Sequence, residues 1–330
     1  MNAPGPTVAD RTVKGSTDLK VRRLAFAFDE STPLQWNPEN PMFGFVMLTL
    51  SFVAPPFERY MVAATRMAMP HIDDPDVAAE ADAFLCQEAL HAKAHRQHVV
   101  ALTAQYPGLA EVSAELERRF DHLMETKPLE CHLAYAADIE ATFTPTFNMW
   151  LRHRDVLFDN GDPRVAPLFL WHLVEEIEHR SSAYAIYNAV VPDRWYRLRV
   201  LPSVLAHLLG CHTVICRGID EHVPFEDRLA PATEIALGLS ELRTKLGRLI
   251  SVGEKRRTRE RWPSPLASIP KTEQLTALYR LARAQDPRHS PEHEQTPPFA
   301  DEWMAAYDRG RDVVDWYRSD PDPDRSGQGA

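Results

Sequence analysis

His172-Leu173-Val174-Glu175-Glu176-Ile177-Glu178-His179 and Gln87-Glu88-Ala89-Leu90-His91 each carry a Glu-x-x-His pair inside an Ala- and Leu-rich run. Residues three or four apart on an α-helix share a face. Glu88 with His91, and Glu176 with His179, therefore each present one carboxylate and one imidazole to a common point. A four-helix bundle with two such helices, plus one further Glu from each of the other two, encloses a pair of iron or manganese ions.

The two remaining glutamates are in the chain. Glu58 follows Pro55-Pro56, which reads as the end of one segment and the start of the helix that carries Glu58. Glu140 lies in Tyr135-Ala136-Ala137-Asp138-Ile139-Glu140, between the two pairs. Separations of about 30, 50 and 35 residues along Glu58, Glu88, Glu140 and Glu176 leave room each time for a helix and a return connection. A single Glu-x-x-His is weak evidence, whereas the ordered set of four elements is much stronger. Burying that many carboxylates and imidazoles is costly unless they share a cation.

Several neighbours compete for roles. His172 lies four residues before Glu176 and joins its stripe, which makes it a third imidazole ligand. His95, four after His91, reads equally as an additional ligand or as the partner of one. Periodicity places both Glu175 and Glu176 near the stripe, while Glu178 points away and reads as a surface carboxylate or one that orients an imidazole. Asp138 rivals Glu140 from half a turn away. Phe84, Phe143, Phe147 and Tyr187 lie on the ligand-bearing helices, where aromatic residues are either plain core or the lining of an apolar substrate pocket.

The set Glu58, Glu88, His91, Glu140, His172, Glu176 and His179 resembles the seven-ligand pattern of the non-haem diiron N-oxygenases that convert arylamines to nitro compounds. There, one extra histidine precedes the last Glu-x-x-His by a turn. The wording Gln-Glu-x-x-His-x-x-x-His and Trp-His-x-x-Glu-Glu-x-Glu-His is also similar to a bacterial family catalogued as predicted metal-dependent hydrolases, a name drawn from the metal motif. Some relatives with this ligand set resemble carbon hydroxylases of diterpenoid antibiotic pathways such as those to platensimycin and platencin. The resemblance covers roughly residues 40 to 225. It implies an all-α fold with a ferritin-like four-helix bundle core, two iron ions and O2 as co-substrate, and it selects Glu176 over Glu175. It also implies an apolar substrate, a terpenoid or aliphatic acid or its thioester, and an external electron donor of the ferredoxin/reductase kind. Arylamine N-oxygenation, a dinuclear hydrolase and a metal-storing bundle are the competing readings.

Composition agrees with such an enzyme. A chain of 330 residues with 44% hydrophobic content fills a generous helical core, and a net charge of −10 without a basic stripe argues against a nucleic-acid partner. Cys86, Cys131, Cys211 and Cys216 show no Cys-x-x-Cys spacing and suit reduced cytoplasmic thiols. Residues 1–30 carry charges and lack a secretory apolar run. The uncharged stretch 41–57 is shorter than the roughly 20 residues that span a bilayer, so no transmembrane segment is expected.

Along the chain, residues 1–40 read as an extended arm with a short alternating run from Val21 to Phe28, free to wrap the bundle. Helices are expected at about 43–69, 75–105, 109–125, 129–155, 163–190 and 197–222, punctuated by Pro70, Pro75, Pro107-Gly108, Pro128, Gly161-Pro163 and Pro192. His207 and His212, five apart on the last of these, are poorly placed to share a metal. The bundle domain is expected to occupy 41–225 and a helical extension 226–318, with segments at 232–250, 272–285 and 299–317. That extension reads as a cover for the open end of the bundle, a homodimer contact or a docking face for a redox partner. Residues 319–330, rich in Asp, Pro, Ser and Gly, read as a disordered tail.

Overall fold

The computed structural model describes residues 19–236 and 262–314. It is all-α, with no strand among the described residues. The bundle is built from α1 (Pro41–Ala68), α2 (Pro75–Gln105), α4 (Leu129–Arg152) and the consecutive pair α6 (Ala166–Glu178) and α7 (Ser182–Val190). α1 lies along α2, α4 packs on α1, α6 and α7, and α2 closes the ring against α6 and α7. Helix α3 (Leu109–Thr126) and helix α8 (Tyr196–His222) pack outside α1 and α4; the short α5 (Arg154–Phe158) and α9 (Phe225–Arg228) fill corners. Beyond residue 261, α10 (Lys271–Ala284) rests on α4, and α11 (Pro298–Asp308) on α4 and α6.

Local chemistry sets the ends. Asn40 caps α1 by accepting from the Phe43 N–H, and Asp74 caps α2 by accepting from the Asp76 N–H, each followed by a proline at the first helical position. Gly310, at φ 75°, takes the left-handed conformation that stops the chain after α11, so the segment expected over 299–317 ends at Asp308.

Further expectations are corrected. Pro55-Pro56 do not divide α1; they lie inside one continuous helix. Each interior proline costs about 3 kcal/mol or more. Full burial of Phe52, Phe57, Tyr60 and Met61, at roughly 1.5–3 kcal/mol for each large apolar side chain, outweighs that cost. The helix expected over 163–190 is instead broken at His179–Ser181. There the Arg180 guanidinium donates to the Ile177 carbonyl at 2.7 Å and the Ser182 N–H to the His179 carbonyl at 2.8 Å, which satisfies groups the break would orphan. The segment expected over 129–155 ends at Arg152 and resumes as α5. Of the segment expected at 232–250, Ala232–Glu234 is a 3₁₀ turn and residues from 237 lie outside the described residues, as do 1–18 of the arm and the tail.

The arm from 19 to 40 has no regular structure, yet its alternation is real: Arg22, Leu24, Phe26 and Phe28 turn toward the bundle while Val21, Arg23, Ala25 and Ala27 face outward. Phe26 packs on Trp171 and Phe28 on His98. Trp36, fully buried, anchors the arm's end among Phe43, Phe158 and Phe169. Two helical stretches, Pro41–His71 and Tyr196–His222, are long and apolar enough to cross a membrane; the first has 83% of its apolar window buried in the protein, the second 22%.

Candidate metal centre

Seven side chains from four helices converge in the bundle interior. Glu58, His91 and His172 bring ligand atoms within 4.8 Å of one another, and so do Glu88, Glu140, Glu176 and His179. α1 supplies Glu58, α2 supplies Glu88 and His91, α4 supplies Glu140, and α6 supplies His172 and Glu176, with His179 at its C-terminal boundary. Glu176 joins the two groups. Its Oε1 lies 3.1 Å from His172 Nε2 and 3.7 Å from His91 Nδ1, while its Oε2 lies 3.4 Å from His179 Nε2. Glu58 approaches His172 Nε2 at 3.7 Å, and His179 Nε2 faces Glu88 at 3.2 Å and Glu140 at 3.7 Å.

The outward-facing imidazole nitrogens are all engaged. His91 Nε2 lies 2.9 Å from Glu175 Oε2, and His179 Nδ1 lies 2.9 Å from Gln87 Oε1. Arg22 from the arm donates to Glu175 at 3.2 Å and to both oxygens of Glu178 at 2.6 and 2.7 Å; Gln87 donates to Glu178 at 2.8 Å. Glu175 thus orients His91, and Glu178 reaches His179 through Gln87. His172 Nδ1 lies 2.7 Å from His95 Nε2, whose own Nδ1 is 2.9 Å from Ser51 Oγ, so His95 gives both nitrogens to neighbours.

The interior of this cluster is short of partners. Glu58 Oε2, both oxygens of Glu88, His91 Nδ1 and Glu140 Oε1 are buried without a hydrogen-bond partner. At roughly 1–3 kcal/mol for each orphaned group, these would offset much of the roughly 5–15 kcal/mol by which a protein is stable. A cation shared among them removes the penalty, and a donor set of imidazole and carboxylate without thiolate suits iron, manganese or zinc. None of the four cysteines belongs to either group.

Burial, then the charge of Glu176, pushes Glu58 well above the usual carboxylate range; Glu88 and Glu140 rise for the same reasons. Burial drives the His91 imidazole down to about 3 and His172 to about 4. Burial also opposes ionisation of Glu176, but His179 and His172 beside it outweigh that and hold it well below the ordinary value. The metal-free centre therefore holds Glu58, Glu88 and Glu140 as neutral acids around an ionised Glu176, with His91 and His172 neutral.

The consequence for pH has a definite sign. Glutamates raised above 4.5 stabilise the fold most at low pH, and that stability is lost as pH climbs toward their folded values. Histidines depressed below 6.5 act oppositely, but only below 6.5. From about pH 6.5 to 8.5 the raised carboxyls remain, the glutamates together with Asp138, which burial pushes up to about 8, so the unfolding temperature of the metal-free protein is expected to fall with rising pH. Metal affinity is expected to rise over the same window, because binding displaces those protons. Thermal scans of metal-free and metal-loaded protein at several pH values check both slopes.

Other side chains take different places. Asp138 pairs with Arg197 at 3.4 Å. Phe84 packs edge-on against His179, whereas Phe143 and Phe147 stack on each other, and Tyr187 donates to the Asp193 carbonyl. His207 bonds Tyr135, and His212 contacts the Ile235 carbonyl. Arg22, Gln87, Ser51 and His98 were not singled out from the sequence. His98 had a signal, since His91, His95 and His98 form one stripe along α2; Arg22 had none, because its partners are some 150 residues away.

A family described as predicted metal-dependent hydrolase matches residues 20–236, which takes in the arm, the bundle and all seven converging side chains. No curated protein and no solved structure matches the chain. By the extent of that match, the chain belongs to the family of predicted metal-dependent hydrolases.

Proposed function

We propose that this protein is a non-haem diiron monooxygenase that hydroxylates an apolar organic substrate. The observation that carries the reading is the joined pair of buried groups, Glu58, His91 and His172 on one side and Glu88, Glu140 and His179 on the other, with one oxygen of Glu176 turned to each. Two irons held by these side chains would supply the redox chemistry by which one oxygen atom of O2 enters a C–H bond. The overall balance is substrate, O2, two electrons and two protons to alcohol and water, with the electrons from an external ferredoxin/reductase-type donor. Glu175 and the Gln87–Glu178 pair hold His91 and His179 in place, and Arg22 of the arm pairs with both outer carboxylates. The resemblance favours a terpenoid or aliphatic acid, or its thioester, in bacterial antibiotic biosynthesis; arylamine N-oxygenation is the nearest alternative.

The test is to load the purified protein with ferrous iron without oxygen, count iron per chain and then admit oxygenated buffer while recording the visible spectrum. About two irons per chain and a transient charge-transfer band are expected. A second reading, a dinuclear hydrolase, is favoured by the family description. In it the metals would lower the pKa of a bridging water held by the same ligands. Two bound metals, no reaction with oxygen, and ester or amide hydrolysis with zinc would replace the first reading by the second. Oxidation of an amine panel alone, with terpenoid acids untouched, would move the chemistry from carbon to nitrogen.

A further inference from the structure

Behind His172 the hydrogen bonds continue in single file. His172 Nδ1 meets His95 Nε2 at 2.7 Å, His95 Nδ1 meets Ser51 Oγ at 2.9 Å, and the same Oγ meets His98 Nδ1 at 2.9 Å. All four side chains are buried, and His98 Nε2, the far end, has no hydrogen-bond partner. His98 sits beneath Phe28 of the arm, with ring centroids 5.0 Å apart. Three neutral imidazoles and one hydroxyl carry one hydrogen each along this file, so while the Ser51 hydrogen lies within it, fixing the hydrogen at one end fixes every other.

Two polarities satisfy every link with the Ser51 hydrogen kept inside the file. In the first, His98 Nδ1–H donates to Ser51, Ser51 to His95 Nδ1, His95 Nε2–H to His172 Nδ1, and His172 Nε2–H to Glu176 Oε1, which lies 3.1 Å away. That order suits an ionised Glu176 with no metal. In the second, His172 Nδ1–H donates to His95 Nε2, His95 Nδ1–H to Ser51, and Ser51 to His98 Nδ1. That order frees the His172 Nε2 lone pair for a metal. Ser51 is indispensable to both, because a hydroxyl alone among these groups gives and accepts through one atom.

We propose that Ser51, His95 and His98 are positioning residues that set the tautomer of His172, and so whether its Nε2 offers a lone pair to the metal, through one hydrogen-bond file whose polarity reverses when the centre is occupied. The inference rests on the dimetal reading. On reversal a proton leaves His172 Nε2 as its lone pair turns to the metal, each internal hydrogen moves one link toward His172, and one proton is taken up from water at His98 Nε2. Every group stays neutral and no bond other than N–H and O–H is made or broken.

The test uses zinc, which is diamagnetic, on full-length protein with 15N-labelled histidine. In the wild type, zinc is expected to switch the tautomers of His172, His95 and His98 together, although His98 touches no ligand. Ser51→Ala is expected to leave His98 unresponsive and to weaken one of the two zinc sites by about 10–100-fold, the usual effect of losing an outer partner. Ser51→Thr keeps the hydroxyl and is expected to restore both readouts; matched unfolding temperatures of the three metal-free proteins separate positioning from loss of fold. A wild-type His98 tautomer unchanged by bound zinc would overturn the file, as would an unaltered second site in Ser51→Ala. Failure of the wild type to bind zinc, iron or manganese would overturn the dimetal reading and the reversal with it.

Discussion

Glu176→Ala is expected to release both metals, while replacement of any other candidate ligand weakens chiefly its own side. Glu176 is the residue whose two oxygens turn to different groups, Oε1 to His172 and His91 and Oε2 to His179. Its removal takes a donor from each side at once and leaves Glu58 facing Glu88 and Glu140 without the carboxylate between them. The loss of affinity should exceed the roughly 10–100-fold that deletion of an outer partner costs, and metal-dependent turnover should disappear with the metal. Metal content per chain after gel filtration measures it; a variant that keeps one metal at wild-type affinity would show that Glu176 serves one side only.

Glu88→Leu separates metal binding from folding. Both Glu88 oxygens are buried without a partner, and burial followed by repulsion from Glu176 keeps the group protonated when no metal is present. An apolar side chain of similar volume removes that penalty, so the metal-free variant should be more stable by roughly 1–3 kcal/mol. The metal-loaded variant should be less stable than the loaded wild type, because ligand binding to the native state contributes stability in proportion to affinity. Opposite shifts of unfolding temperature with and without metal are the expected signature. A fall in both would mean that Glu88 supports the fold independently of any ion.

The part of this arrangement that could be read in the chain is the part governed by helical periodicity. Glu88 and His91, or His172 and Glu176, are close because they are close in sequence, and the separations between the elements suited one helix and its return. Whether the Pro55-Pro56 pair would split α1 depended on tertiary packing, since an interior proline is tolerated only where surrounding burial outweighs it. The break at His179 was likewise hidden, because the Arg180 guanidinium that caps it has no helical periodicity of its own. The choice between Glu175 and Glu176 could not come from spacing at all. It depends on Arg22, which draws Glu175 outward, and nothing local links residue 22 to residue 175.

Arg22→Met should therefore have the other large effect, on stability and metal affinity by different routes. Arg22 is 1% exposed, reaches Glu175 at 3.2 Å and Glu178 at 2.6 Å, and lies over the rings of Trp303 and Tyr307 on α11. Its removal strands two carboxylates behind the centre, a change that costs about 3–5 kcal/mol when one partner of a buried pair is lost. The neighbouring Lys20–Asp308 pair is about half exposed, and its deletion should cost roughly 0–1 kcal/mol. Metal affinity should fall as well, because Glu175 and Glu178 hold His91 and His179, and without Arg22 both carboxylates are free to turn. Adding Glu178→Gln to Arg22→Met removes one stranded charge, so stability should recover in large part. The amide that replaces the Glu178 carboxylate cannot anchor the Gln87 side chain as firmly, so metal affinity should stay low. Recovery of both together would mean that the arm acts on the metals through the fold alone; recovery of stability without affinity would establish that residue 22, from outside the bundle, orients two of its histidines.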